Sequence, residues 1–335
     1  MPVPVAVLGA GSFGTCLALL CAREHDVTIW ARSRELALAI DRDRHNPRYL
    51  TDIELPENVR ATADLEDATA GRELVICAVP SHGVREVMSA ASGLLDPGAI
   101  VVSTVKGIEV ETGLTMHGVL EEVLAPAQRP RIVCLSGPSF AREVADRRPT
   151  VVTLASREEA YAISVQASLS CPWFRCYSHD DVIGVELGGA LKNVIAIAVG
   201  MSDGLGLGQN ARAALMTRGL AEITRLGVRM GANPLTFLGL SGVGDLLLTC
   251  TGDLSRNRSV GFELGRGRKL DEIVAGMRQV AEGVRTTRAA CSLARRYDLE
   301  MPIAEMVQDV LDGELEDPIE AVERLMTRQL RSETE

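Results

Sequence analysis

The stretch "VPVAVLGAGSFGTCLALLCARE", residues 3–24, decides the fold. It opens with a short apolar run of strand character. Gly9, Gly11 and Gly14 follow in the spacing G-x-G-x-x-G, and then Leu17, Leu19, Leu20 and Cys21 repeat as in a helix. The glycine spacing says little by itself. Placed after a strand and opening a helix, within a unit of about 30 residues, it predicts a dinucleotide site. Gly9 makes the tight turn, Gly11 lets backbone approach a pyrophosphate, and Gly14 lets helix and strand pack closely. The helix N-terminus then offers N–H donors to the phosphates. A glycine-rich turn without a ligand is the alternative.

A second strand, "DVTIW", ends in "WARSR", residues 30–34. A site restricted to NAD would place Asp or Glu here. Arg32 and Arg34 suit a 2′-phosphate instead, so the cofactor expected is NADP or NAD; both could also be surface arginines that start the next helix. Four more buried strands are expected at 73–80, 99–105, 131–137 and 149–156. Continuous apolar strands alternating with helices predict an α/β chain with an N-terminal Rossmann-like, doubly wound parallel sheet. Near residue 180 the strand pattern gives way to helical patterns such as "ARAALMTRGLAEITRLG". The expected division is a nucleotide domain over 1–180 and an all-helical domain over 181–330, with the active cleft between them.

The 335 residues carry a formal net charge of −10, which argues against nucleic acid or an acidic membrane as partner. An anionic ligand must meet a local cluster of positive charge. Eight cysteines occur without any C-x-x-C, so buried free thiols are expected, not zinc or disulfides. No metal is expected. The N-terminus does not read as a signal peptide, since no basic residue precedes Arg23. No run of about 20 apolar residues is evident, so no membrane span is expected and a cytoplasmic location is.

Only three lysines occur, Lys106, Lys192 and Lys269, among 35 basic residues. Where any positive charge suffices, this chain uses arginine. Lys192 lies in "LGGALKNVIAIAVG", and in a helix it shares a face with Gly188 and Gly189. Two glycines cost a helix up to about 2 kcal/mol against alanine. They imply a small space beside the lysine. Lys192 is then either a snorkelling lysine or an acid/base group, a role arginine cannot take. "GVGDLLLTCTGDLSRNRSVG", residues 242–261, adds Asp245 in a glycine-rich loop, then Ser255, Arg256, Asn257 and Arg258. Hydroxyl, guanidinium and amide together suit a phosphate, or a solvated turn.

"GAGSFGT", "VPSH", "KGIE", "SGPSFA", "GVELGGALKNVIAIAVGMSDG", "LGQNARAALMTRGLAE", "GDLLLTCTGDLSRNR" and "QVAEGVRT" occur in this order over nearly the whole chain. Together they resemble the bacterial-type NAD(P)-dependent glycerol-3-phosphate dehydrogenases. The resemblance implies hydride transfer between the nicotinamide and C2 of sn-glycerol 3-phosphate, giving dihydroxyacetone phosphate, in support of phospholipid synthesis. It implies a cofactor site of Gly9, Gly11, Ser12, Phe13, Gly14, Arg32, Lys106, Ala141, Arg256, Val280 and Glu282. Lys192 would accept the proton, assisted by Asp245, with Lys106 reaching cofactor and substrate. Gly137, Ser139, Thr249, Ser255, Arg256 and Asn257 would complete the substrate site. The partners expected are a small phosphorylated substrate and, in a homodimer, a second copy of the chain. Two positions depart from the family pattern: Val105 and Ser139 stand where threonine is usual. A 3-hydroxy acid dehydrogenase, which shares the G-x-x-x-K helix, is one rival; "SRNR" argues against it. A non-catalytic NADP(H) sensor is the other, and it has no need of two scarce lysines in a cleft.

Overall fold

The computed structural model describes residues 2–277, 281–315, 317–330, 332 and 333. The first half alternates strand and helix: β1 Pro4–Leu8, α1 Ser12–Cys21, β2 Asp26–Trp30, α2 Arg34–Asp43, β3 Val59–Thr62, α3 Leu65–Thr69, β4 Leu74–Cys77, α4 Val84–Ser92 and β5 Ile100–Ser103. It continues with α5 Met116–Val123, β6 Ile132–Ser136, α6 Ala141–Ala145, β7 Thr150–Ala155, α7 Glu159–Leu169 and β8 Phe174–His179. The eight strands form one sheet in the order β3-β2-β1-β4-β5-β6-β7-β8. Chain order reverses between β1 and β4, so the crevice of this doubly wound sheet opens beyond their C-terminal ends.

Two strands escape the expectations drawn from sequence, and both lie at sheet edges. β3 is four residues with Arg60 exposed in it. β8 alternates buried Phe174 and Cys176 with exposed Arg175 and Tyr177, because only one of its faces is covered. The expected parallel sheet also has one exception. β7 runs antiparallel to β6, and β8 is parallel to β7. The short connection through α6 reverses the chain without a full crossover.

From residue 181 on, the described residues form helices and turns: α8 Val182–Gly204, α9 Gly208–Arg229, α10 Asp245–Thr251, α11 Arg256–Gly265, α12 Leu270–Ala275, α13 Glu282–Arg296, α14 Pro302–Asp312 and α15 Pro318–Met326. A π-turn, Leu240–Gly244, leads into α10. α8 is the axis of this half. α9, α10, α11, α13 and α14 all pack on it, and almost every residue along it is buried. Its 23 residues are long and apolar enough to cross a membrane by length and composition, which corrects the expectation that no such stretch exists. Within this fold 94% of its most apolar window is buried against the other helices. A helix apolar all round belongs inside. The described cysteines are free thiols, buried except for the half-buried Cys171.

α8 and α11 touch backbone to backbone. A methyl group on Gly200 would collide with Arg258 O, and one on Gly261 with Ile197 O; Gly204 and Gly265 repeat the arrangement one turn on. The glycines fix the register of α11 on α8. They thereby bring the start of α11 level with the middle of α8, where Lys192 stands.

Candidate active site

The turn after β1 has the geometry a dinucleotide requires. Gly9 has φ +122, and a Cβ there would lie 2.6 Å from Ala78 O. Gly14 abuts the carbonyl of Gly9, so α1 starts tight against the strand. Gly11 is different: nothing lies within 4 Å of where its Cβ would be. α1 has no side-chain cap and no acidic residue in its first turn. Its dipole is therefore left to meet an anion at Ser12 and Phe13. Phe13 and Ala141 rest on the core beneath. Arg32 is exposed just past β2, ahead of Ser33, whose hydroxyl caps α2. These residues fit NADP or NAD: an open glycine, an uncompensated helix start and a cation at the ribose end. Val280 lies outside the described residues.

Across the crevice, four of the expected residues converge. Lys192 Nζ donates to Asp245 Oδ1 and, at 2.7 Å, to Thr249 Oγ1. Lys106 Nζ donates to the other oxygen, Asp245 Oδ2, at 2.7 Å, and to Gly137 O at 2.8 Å. One buried carboxylate thus joins a lysine of the loop after β5 to a lysine of α8. Burial drives the pKa of Lys192 down to about 8; Asp245 opposes the shift and Lys106 adds to it. Burial also pushes the neighbouring Cys250 thiol up to about 12, so it stays neutral beside the lysine. Gly137, at φ +133, turns its carbonyl toward Lys106, and Ser139 Oγ donates to the same oxygen at 3.0 Å.

The small space expected beside Gly188 and Gly189 is filled by the chain itself. A Cβ on Gly188 would lie 2.5 Å from Ser241 O. One on Gly189 would meet Ser136 Oγ and approach the Lys106 stem. These glycines bring the π-turn and Lys106 up to α8; they do not hollow out a pocket.

The "SRNR" segment divides its labour. Ser255 is buried, and its hydroxyl caps α11 by accepting from Arg258 N at 3.2 Å. Arg258 is held by Asp203 at 2.9 Å. Asn257 is buried between Asn193 Oδ1 and the Gly283 amide, each at 2.9 Å. Arg256 alone of the four is strongly solvent-accessible. Yet the surrounding protein desolvates it enough to lower its pKa, against the nearby Glu282 and Tyr49. A group both surrounded and wet lies in a cleft. Glu282 closes the far side: its two oxygens accept from Ser81 N at 3.1 Å and from Ser81 Oγ. Ser81, Asn193 and Asn46 are site-region residues to which sequence reasoning gave no role. "VPSH", which contains Ser81, and "LGGALKNVIAIAVG", which contains Asn193, were the available signals.

A cleft holding two lysines beside one aspartate, facing a dinucleotide crevice and backed by a helical second half, is the arrangement of an NAD(P)-dependent dehydrogenase. Residues 4–162 match the family described as NAD-dependent glycerol-3-phosphate dehydrogenase N-terminus, and residues 181–323 match the corresponding C-terminus. A glycerol-3-phosphate dehydrogenase [NAD(P)+] of Citrifermentans bemidjiense is 54% identical over 334 residues, covering 99% of each chain. One of Myxococcus xanthus is 53% identical over 98% of each. The crystal structure of glycerol-3-phosphate dehydrogenase from Coxiella burnetii is 40% identical and superposes with a TM-score of 0.93, covering 98% of this chain and 99% of that one. The chain belongs to the NAD(P)-dependent glycerol-3-phosphate dehydrogenase family.

Proposed function

We propose that Lys192 carries the proton when this enzyme interconverts sn-glycerol 3-phosphate and dihydroxyacetone phosphate. The bound nicotinamide supplies or takes the hydride. In reduction, the Lys192 ammonium donates to the oxygen forming on C2; in oxidation, the neutral amine removes the hydroxyl proton. A pKa of about 8 keeps both forms populated near neutral pH, where an acid/base group works best. Asp245 and Thr249 hold the amine in place, and Lys106 adds a second positive charge beside the substrate oxygen.

Arg256 takes the phosphate, since its guanidinium stands in the cleft at the start of α11. Ser255 and Asn257 serve it by fixing that helix start. Gly137 and Ser139 wall the substrate. Gly9, Gly11, Ser12, Phe13 and Gly14 take the pyrophosphate, and Arg32 faces the 2′ position. Ala141, Lys106, Glu282 and Val280 complete the cofactor side. We divide the chain functionally at 180/181, between the last strand and α8. We assign it to the cytoplasm and to the supply of glycerol 3-phosphate for phospholipid synthesis. A homodimer is supported by Leu235 and Leu238, which lie on one turn at 68% and 66% exposure; sedimentation velocity measures it.

The lysine–aspartate–lysine arrangement carries this reading, and Lys192→Arg tests it. Arginine keeps the charge and cannot release a proton near pH 7. NADPH oxidation by dihydroxyacetone phosphate, followed by absorbance, is expected to lose about 10²-fold or more in kcat. NADPH affinity is expected to stay near the wild-type value. An arginine variant that keeps most of its kcat would remove the proton-transfer role from Lys192.

A further inference from the structure

The loop between α2 and β3, residues 44–58, carries no motif, yet it is firmly tied to the nucleotide crevice. Asn46 is fully buried. Its amide nitrogen donates to Ala10 O and to Thr15 Oγ1, both at 2.9 Å. Its carbonyl oxygen accepts from Arg48 N at 3.0 Å and Tyr49 N at 3.1 Å. The backbone of residues 48 and 49 is thereby pinned to the glycine-rich turn and to α1. Further along, Asp52 accepts two hydrogen bonds from Arg142 of α6, at 2.6 and 2.7 Å. The loop is a strap across the crevice, fastened at both ends.

From this strap the Arg48 side chain reaches the head of α2. Its Nη2 lies 3.8 Å from Glu35 Oε2, in the first turn of that helix. Arg32 immediately precedes the Ser33 cap of the same helix. Arg48, from one segment, thus reaches the same head of α2 that Arg32 immediately precedes in another, just beyond the C-terminal end of β2. In a fold whose pyrophosphate turn follows β1, this is where the adenosine ribose belongs. The Arg48–Glu35 pair does not explain the placement energetically. Its side chains are 52% and 88% exposed, and exposed pairs of this kind contribute little. Asn46 sets the position, and a weakly held guanidinium is available to a better anion.

We propose that Arg48 is a specificity-determining residue that reads the 2′-phosphate of NADPH together with Arg32, with Glu35 as its competing partner in the free enzyme. The proposal rests on the reading of Arg32 as facing the 2′ position. A phosphate dianion offers the guanidinium charge-assisted, bidentate hydrogen bonds, stronger than a long contact to an exposed carboxylate. NADH presents only a hydroxyl there and leaves Arg48 with Glu35.

The test is equilibrium binding of NADPH and of NADH, by titration calorimetry at one fixed salt concentration. Wild type, Arg48→Ala, Glu35→Gln, the double variant and Arg32→Ala are compared. Arg48→Ala is expected to weaken NADPH about five- to tenfold and NADH by less than about twofold. Glu35→Gln is expected to tighten NADPH in the wild-type background and to do nothing once Arg48 is absent. Asn46 and its bonds are untouched in these variants, and unchanged melting temperatures check that. An unchanged NADPH/NADH ratio in Arg48→Ala, or equal weakening of both cofactors, overturns the proposal. If Arg32→Ala collapses the ratio while Arg48→Ala leaves it alone, Arg48 is refuted and the role of Arg32 stands. If neither substitution moves the ratio, both fall.

Discussion

Two glycine clusters serve this enzyme, and they work in opposite ways. In the turn after β1, Gly11 faces open space, and no protein atom lies within 4 Å of its missing Cβ. In α8, the missing Cβ atoms of Gly188 and Gly189 are replaced by the chain's own Ser241 carbonyl and Ser136 hydroxyl. In the first cluster Gly9 and Gly14 close on backbone and Gly11 leaves its side open, where the pyrophosphate is proposed to lie. The second lets two loops close on a helix, so that Asp245 and Lys106 reach Lys192. A glycine pattern in sequence announces close approach; only the fold tells whether the visitor is foreign or internal.

The contrast can be broken by adding one methyl group on each side. Gly188→Ala places a carbon 2.5 Å from a backbone oxygen, which cannot step aside as a side chain could. Overpacking of this kind costs about 1–3 kcal/mol, although alanine is the better helix former. The melting temperature is expected to fall by several degrees, about 2–4 °C for each kcal/mol in a domain of this size. Activity is expected to fall with it, because the displaced π-turn leads straight into Asp245. A melting temperature that rises would mean Gly188 is a mere helix defect. Gly11→Ala reverses the outcome. Its φ of −76 suits alanine, so melting is expected to be unchanged. NADPH affinity is expected to drop about tenfold, because the methyl occupies the approach of the pyrophosphate. Cofactor affinity at the wild-type level would show that nothing comes near Gly11.

A finer test uses protons. With the pKa of Lys192 lowered to about 8, glycerol 3-phosphate oxidation needs the neutral amine, and its kcat rises through that pH. Dihydroxyacetone phosphate reduction needs the ammonium form, and its kcat falls through the same pH. Stopped-flow rates of the chemical step in both directions would show the mirrored profiles; parallel profiles would point to another group. The smallest effect concerns Glu186, at the other end of the α8 glycine segment. Burial raises its pKa to about 7 from an ordinary 4.5, against hydrogen bonds from Thr115, the His117 amide and Cys134. The folded state holds a proton that the unfolded chain releases. Its contribution is thus complete below pH 4.5 and is lost as pH rises through about 7. Glu222, capping α14 through the Ile303 and Ala304 amides, titrates in the same window. Urea unfolding from pH 4.5 to 7 is expected to show a shallower loss of stability in Glu186→Gln than in wild type. Identical slopes would exclude the proton from Glu186.

The nucleotide half was legible because its physics is local: an apolar run, a glycine turn and a helix occur within 22 residues of chain. β3 and β8 were not, since a strand with one covered face and few residues leaves little apolar signal. The reversal of β7 depends on pairing with β6, which no local pattern records. In the site, the scarcity of lysine singled out Lys106 and Lys192, the glycine-rich loop pointed to Asp245, and the resemblance supplied Thr249; the fold brings all four together. The brace from Ser81 to Glu282 joins residues 201 positions apart, and Asn193 meets Asn257 across 64. Hydrogen bonds over such separations carry no periodicity to read. The same holds for Asn46, whose neighbours at Ala10 and Thr15 look unrelated in the chain.

The burial of α8 has a consequence for the newborn chain. The helices that cover most of it, α9, α10, α11, α13 and α14, are encoded after it. At a ribosome adding about 5–20 residues per second, the segment waits several seconds or more for its cover. During that interval it is an uncovered apolar stretch of membrane-spanning length. Lys192 stands at its middle, and a lysine at the centre of such a stretch opposes insertion by about 2.5–3.5 kcal/mol. The residue proposed to move the proton in the finished enzyme therefore also discourages the unfinished one from entering a bilayer.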